Sequence, residues 1–146
     1  MFDSILVVCV GNICRSPVGE RLLKNLLPEK HVFSAGVGAM VGSGVDLTME
    51  KVAKTHGLET AGHIARQITP EMCHKADLIL AMSQENIEQI YYLVPEARGK
   101  VMLFGKWIDE VEIPDPYKQK QKVHEEAYRL LEKAAESWVN IIRMQI

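Results

Sequence analysis

An excess of either charge is missing from this 146-residue chain: 17 Lys and Arg stand against 19 Asp and Glu, a formal net charge of −2. A balance so near neutrality supplies no general attraction to nucleic acid or to an anionic membrane surface, and neither is expected as a partner. No apolar run approaches the ~20 residues that a bilayer-crossing helix needs. The first residues, Met1-Phe2-Asp3-Ser4, carry no basic segment, so no secretory signal is expected. Cysteine is scarce: three residues, an odd number without framework spacing, which argues against a disulfide scaffold and fits a reducing, cytoplasmic setting. They form no pair of metal-ligand hooks, so neither a metal nor another cofactor is expected. Repeats, low-complexity tracts and linkers are also lacking. With 47% hydrophobic residues the chain can bury a sizeable core, and one domain spanning 1–146 is expected.

What the chain does have is concentrated in Cys9-Val10-Gly11-Asn12-Ile13-Cys14-Arg15-Ser16-Pro17. The preceding run, Ile5-Leu6-Val7-Val8, is short and β-branched-rich, as in a buried strand. The following apolar residues, Val18, Leu22, Leu23, Leu26 and Leu27, recur at helical spacing. The stretch is therefore a strand–loop–helix junction, with Pro17 in the first helical turn, where a missing N–H costs nothing. Unsatisfied amides and the helix dipole make such an end attractive to an anion. Gly11 and Asn12 tolerate the backbone turns that a curled loop requires. Arg15 offers a planar fork for two phosphate oxygens. The same positive field favours a thiolate at Cys9, a nucleophile placed against a bound phosphoryl group. Ser16 can donate a hydrogen bond to that sulfur.

Further along, strands are expected over 4–9, 31–35, 77–82 and 101–104. Helices are expected over 16–27, after a Thr48 cap up to a stop at Gly57, after Thr69-Pro70-Glu71, after a Ser83 cap, and from Val123 to Ile142 at amphipathic spacing. Alternating strands and helices argue an α/β fold: a three-layer sandwich with a four-stranded parallel sheet and helices on both faces. Ligands in such sheets bind at the carboxyl ends of strands, where Cys9 falls. Cys73 reads as packing, and Tyr91 and Tyr92 as partly buried.

Cys9 to Pro17 resembles the phosphate-binding loop of the low-molecular-weight protein tyrosine phosphatases. Asp115-Pro116-Tyr117 resembles that family's general-acid loop, and His63-Ile64-Ala65-Arg66 its internal His-x-Ala-Arg segment. The resemblance covers nearly the whole chain and is nearest to bacterial enzymes paired with tyrosine kinases of capsule and exopolysaccharide export. It implies a Rossmann-like phosphotyrosine phosphatase I fold and hydrolysis of phosphotyrosine through a phosphocysteine. Asp115 would act as general acid and then base, and the protein substrate would be a bacterial tyrosine autokinase. It also implies that His63 braces the loop through Asn12 and Ser16, that Met40 walls the slot, and that Cys14 is a resolving partner for oxidised Cys9. Val10 and Ile13 can line the mouth, and Tyr117 can stack on a phenol ring. Arg66 is expected in a structural ion pair. Lys118 stands where many animal relatives carry a second tyrosine, which makes the rim more basic.

Two relative classes share the loop. Thiol-linked arsenate reductases use two further downstream cysteines, whereas only Cys73 lies downstream here. Protein-arginine phosphatases carry threonine at the position of Ile13. A non-catalytic phosphopeptide-binding module would need neither a nucleophile nor an acid.

Overall fold

Both faces of the first strand, β1 (Ser4–Cys9), are covered. Successive side chains point to opposite sides, so Ile5 and Val7 enter one core cluster while Leu6 and Val8 enter the other. A strand buried on both sides reads as a continuous apolar run rather than as an alternation. The computed structural model, which describes residues 2–144, follows β1 with α1 (Arg15–Leu26), β2 (His31–Gly36), α2 (Leu47–Thr55), α3 (Pro70–Lys75), β3 (Leu78–Ala81), α4 (Gln84–Leu93), a 3-10 turn at Pro95–Ala97, β4 (Val101–Leu103) and α5 (Gln121–Arg143). The four strands pair in parallel in the order β2-β1-β3-β4. This is the expected α/β three-layer arrangement.

Helices α1, α2 and α5 pack on the face that carries Ile5 and Val7, and α3 and α4 pack on the other. Trp138 of α5 is buried and donates its indole N–H to the Phe104 carbonyl at 2.9 Å, which ties the last helix to the end of β4. Gly19 lets α1 lie close: a Cβ there would sit 2.8 Å from the Phe104 ring. No helix among the described residues is long and apolar enough to cross a membrane.

The chain leaves β1 for β2 on one side, then crosses back to β3 on the other. Connections therefore diverge at the carboxyl end of β1 and open a crevice there. Cys9 is the last residue of that strand.

Two local expectations are corrected. Thr48 does not cap α2; Asp46 does, accepting the Met49 amide at 3.2 Å. Asp46 is already held in place because its own N–H donates to the Ile13 carbonyl at 2.9 Å. The helix therefore starts one residue before Thr48. Tyr92 is not partly buried; it is 86% exposed, on the outer side of α4 beside the partly buried Tyr91.

Candidate active site

The loop after β1 is shaped by where its carbonyls point. Five in succession are tied outward. Cys9, Val10 and Gly11 accept from the amides of Val37, Gly38 and Met40, each at 3.0 Å. Asn12 accepts from His63 Nε2 at 2.6 Å, and Ile13 accepts from the Asp46 amide at 2.9 Å. A trans peptide unit points its N–H opposite to its C=O. The amides of Val10, Gly11, Asn12, Ile13 and Cys14 consequently face the concave side of the loop, and among the described residues none of them donates to a protein acceptor. Such a ring of amides binds anions. The loop after β2 supplies three of the five tethers, through the amides of Val37, Gly38 and Met40.

Asn12 is the keystone. Its φ of 59° lies in the left-handed region, uncommon for a residue with a side chain. The conformation is held from every side. Oδ1 accepts the Arg66 amide at 2.9 Å, and Nδ2 donates to Ser16 Oγ at 2.8 Å and to Ser34 Oγ at 3.1 Å. Ser34 in turn donates to Glu20 at 2.7 Å. Gly36 backs the same turn, since a Cβ there would collide with the Val10 carbonyl.

Ser16 Oγ lies 2.9 Å from Cys9 Sγ. A thiolate only accepts, so against an ionised sulfur the hydroxyl is the donor, oriented by the amide it receives from Asn12. Arg15 is buried; it donates to the Ile113 carbonyl at 3.0 Å, and its other terminal nitrogen is 3.6 Å from Asp115 Oδ2. The Asp115 side chain is 52% exposed, and its Oδ1 accepts the Tyr117 amide at 3.1 Å.

A cavity of about 220 Å³ gathers Cys9, Val10, Gly11, Ile13, Cys14, Arg15, Met40, Asp115 and Tyr117, together with Gly38. Asn12, Ser16 and His63 stand behind the loop and brace it. A larger groove of about 440 Å³ touches the slot only through Val10 and Gly38 and holds neither the cysteine nor the arginine. The chemistry belongs to the smaller cavity, because that is where a nucleophile, a fixed cation and a carboxyl group meet. Among the described residues no three or more His, Cys, Asp or Glu side chains are grouped to hold a metal.

Cys14 and Cys73 are free, buried thiols. Burial first, then the negative charge of Asp46, pushes the Cys14 thiol far above its ordinary value. Burial pushes Cys73 up to about 11. Both are neutral near pH 7 and leave Cys9 without a competing nucleophile.

Two supporting contacts differ from expectation. Arg66 makes no ion pair among the described residues; its Nε donates to the Ser34 carbonyl at 3.0 Å and its guanidinium lies over the Phe33 ring. His63 reaches Asn12 directly, and its link to Ser16 runs through the Asn12 amide. Glu20 was not singled out from the sequence. Its signal was available: Ser16, Glu20 and Leu23 share one helical stripe, so Glu20 falls on the buried side of α1.

Because the Asn12 carbonyl only accepts, His63 Nε2 must carry the hydrogen, and burial holds the ring below the ordinary 6.5. The unfolded chain then binds a proton in a range where the folded chain does not. Stability from neutral His63 is complete above 6.5 and is lost as pH falls from there through the folded-state value. Urea midpoints should drop on acidification through that range. His63→Gln, whose amide donates without titrating, should show a shallower decline; an identical decline would mean that His63 carries none of it.

A family model described as low molecular weight phosphotyrosine protein phosphatase matches residues 4–146. The chain is 51% identical over 142 residues to a probable low molecular weight protein-tyrosine-phosphatase, AmsI, of Erwinia amylovora, covering 97% of this chain and 99% of that one. It is 51% identical over 145 residues to the low molecular weight protein-tyrosine-phosphatase Wzb of Escherichia coli K12, covering 99% of each. The crystal structure of Wzb from Escherichia coli K30 in complex with sulphate superposes with a TM-score of 0.96 at 49% identity, covering 97% of this chain and 99% of that one.

Proposed function

Since the chain belongs to the low molecular weight phosphotyrosine protein phosphatase family, we propose that it hydrolyses phosphotyrosine in proteins by two in-line phosphoryl transfers through Cys9. The Cys9 thiolate attacks phosphorus; an S–P bond forms as the bond to the tyrosine oxygen breaks. Asp115 gives its proton to the departing phenolate. Water then attacks the phosphocysteine, Asp115 takes the water's proton, and the sulfur leaves as a thiolate steadied by Ser16. Arg15 and the loop amides hold the three equatorial oxygens, where the transition state carries its charge. These groups supply the positive field that a metal would otherwise provide, so the reaction needs no cofactor. One observation carries the reading most directly: the outward tethering of five carbonyls around Cys9, which aims the intervening amides at one point beside the sulfur.

The slot, lined in part by Met40 and Tyr117, suits an aryl ring. A phosphorylated, tyrosine-rich tail of a bacterial tyrosine autokinase is the substrate that the resemblance to capsule and exopolysaccharide enzymes supports. Lys118, whose ammonium lies 5.5 Å from the Tyr117 ring centroid, adds a positive charge to the rim. The domain comprises residues 1–146 and works in the cytoplasm, a setting that suits its free thiols.

Phosphate release from phosphotyrosine and phosphoarginine peptides of one sequence, and oxidation of a thiol reductant by arsenate, test the reading together. Turnover of phosphotyrosine at least about a hundredfold above the others is expected, because Ile13 offers an apolar contact to a ring and nothing to a guanidinium. Preference for phosphoarginine, or arsenate-dependent oxidation, would overturn it.

A further inference from the structure

Beside the catalytic slot runs the groove of about 440 Å³, joined to it at Val10 and Gly38, which border both. One wall is fastened to the phosphate loop. The amides of Val37 and Gly38 donate to the Cys9 and Val10 carbonyls, and Gln67 Nε2 donates to the Val37 carbonyl at 2.9 Å. The facing wall is α4. Glu85, Glu88, Gln89 and Tyr92 border the groove as one stripe of that helix, and Leu93 follows them. Apolar surface is left open on both walls: Val10 is 38% exposed, Leu93 44% and Tyr92 86%. Exposed apolar side chains scattered singly need no explanation, but these three gather around one concavity, as at a binding groove.

We propose that this groove takes an uncharged aromatic side chain of the substrate, a tyrosine or phenylalanine two residues from the phosphotyrosine. The inference rests on the phosphotyrosine reading above and adds a sequence preference to it. The occupant follows from continuity. A substrate chain that lowers its phosphotyrosine into the slot has to cross the rim, and on the groove side Val10 and Gly38 are that rim. Side chains of an extended segment alternate. The residue adjacent to the phosphotyrosine therefore points away from the enzyme, whereas the next one returns to the same side about 7 Å along the chain. The groove, at about 440 Å³ against about 220 Å³ for the slot, has room for a second ring. A ring there covers Val10 and Leu93 and lies against Tyr92. The hydroxyl of a tyrosine finds acceptors in the carboxylates of Glu85 and Glu88, which border the same groove. A carboxylate at that position meets them as like charge.

Phosphotyrosine peptides bearing Tyr, Phe, Ala or Glu at one position, either one or two residues to each side, test this through ratios of kcat/KM. Two residues away, on one side, the Tyr and Phe peptides should exceed the Ala peptide by about fivefold to tenfold, chiefly through KM, and the Glu peptide should fall below it. At the adjacent positions the ratios should stay near one. Tyr92→Ala combined with Leu93→Ser, both at exposed sites on α4, should bring the Phe-to-Ala ratio to about two or less while the Ala peptide is turned over as by the native enzyme. Flat ratios at both two-residue positions, the same preference at the adjacent positions, or a ratio that survives the double substitution would overturn the proposal. So would flat ratios together with a dimer in sedimentation velocity that the double substitution dissociates, since the groove would then seat a second copy of the chain. Failure to hydrolyse any of the peptides would instead overturn the phosphotyrosine reading, and this inference with it.

Discussion

Cys9→Ser should lower turnover by at least about 10⁴-fold while leaving inorganic phosphate or tungstate bound as tightly as before, or more tightly. The two halves of the result follow from separate parts of the site. A serine hydroxyl sits close to the place of the native sulfur, which is 2.9 Å from Ser16 Oγ, but at neutral pH it is not ionised and no base is aimed at it. The anion cradle is made by Arg15 and by amides whose directions are set by tethers to Val37, Gly38, Met40, His63 and Asp46. None of those tethers involves the sulfur. Removing a thiolate from the centre of the cradle removes a negative charge that opposes the bound anion. Calorimetric titration with the oxyanion, beside turnover of a phosphotyrosine peptide, reads both halves. Residual activity within a hundredfold of native would assign the nucleophile elsewhere. Loss of oxyanion binding would mean that the substitution had collapsed the loop.

That loop was the most legible part of the chain because its determinants are local. A buried strand, a five-residue loop and a helix with proline in its first turn follow one another without interruption, and Cys9, Arg15 and Ser16 need no distant residue to be recognised. The layered fold was legible for a related reason: a strand buried on both faces shows itself as an unbroken apolar run. Less was visible wherever tertiary contacts choose between local options. Asp46 outcompeted Thr48 as a helix cap because its amide is fastened to Ile13, a contact across many positions. Tyr91 and Tyr92 look alike in sequence, yet one is partly sheltered and the other stands out from α4. The brace from Ser16 through Asn12 and Ser34 to Glu20 joins two elements that adjoin only once the sheet has formed. Asp115 was placed by resemblance alone, since nothing around it in the sequence says that the chain returns there to the end of β1.

Asp115→Asn is the substitution that tests this return, with an expected loss of about 10²–10⁴-fold on a phosphotyrosine peptide. Asparagine keeps the size of the side chain and an oxygen to accept the Tyr117 amide, a bond of 3.1 Å in the native chain. What it cannot do is pass a proton. A phenolate is a poor leaving group, so its departure depends on protonation; a nitrophenolate leaves with little help. The loss on the nitrophenyl ester should therefore be much smaller, and the dependence of rate on leaving-group acidity should steepen in the variant. Asp115 sits where both duties are possible. One carboxylate oxygen is 3.6 Å from the Arg15 guanidinium and the side chain is 52% exposed, open to the water that the second step consumes. Flanking prolines 114 and 116 limit how far the backbone can carry it away. A purely positional role would act through Arg15 and weaken binding of every phosphate ester alike. Equal losses on the peptide and the nitrophenyl ester, with raised KM for both, would place Asp115 in that role and require another group to carry the proton.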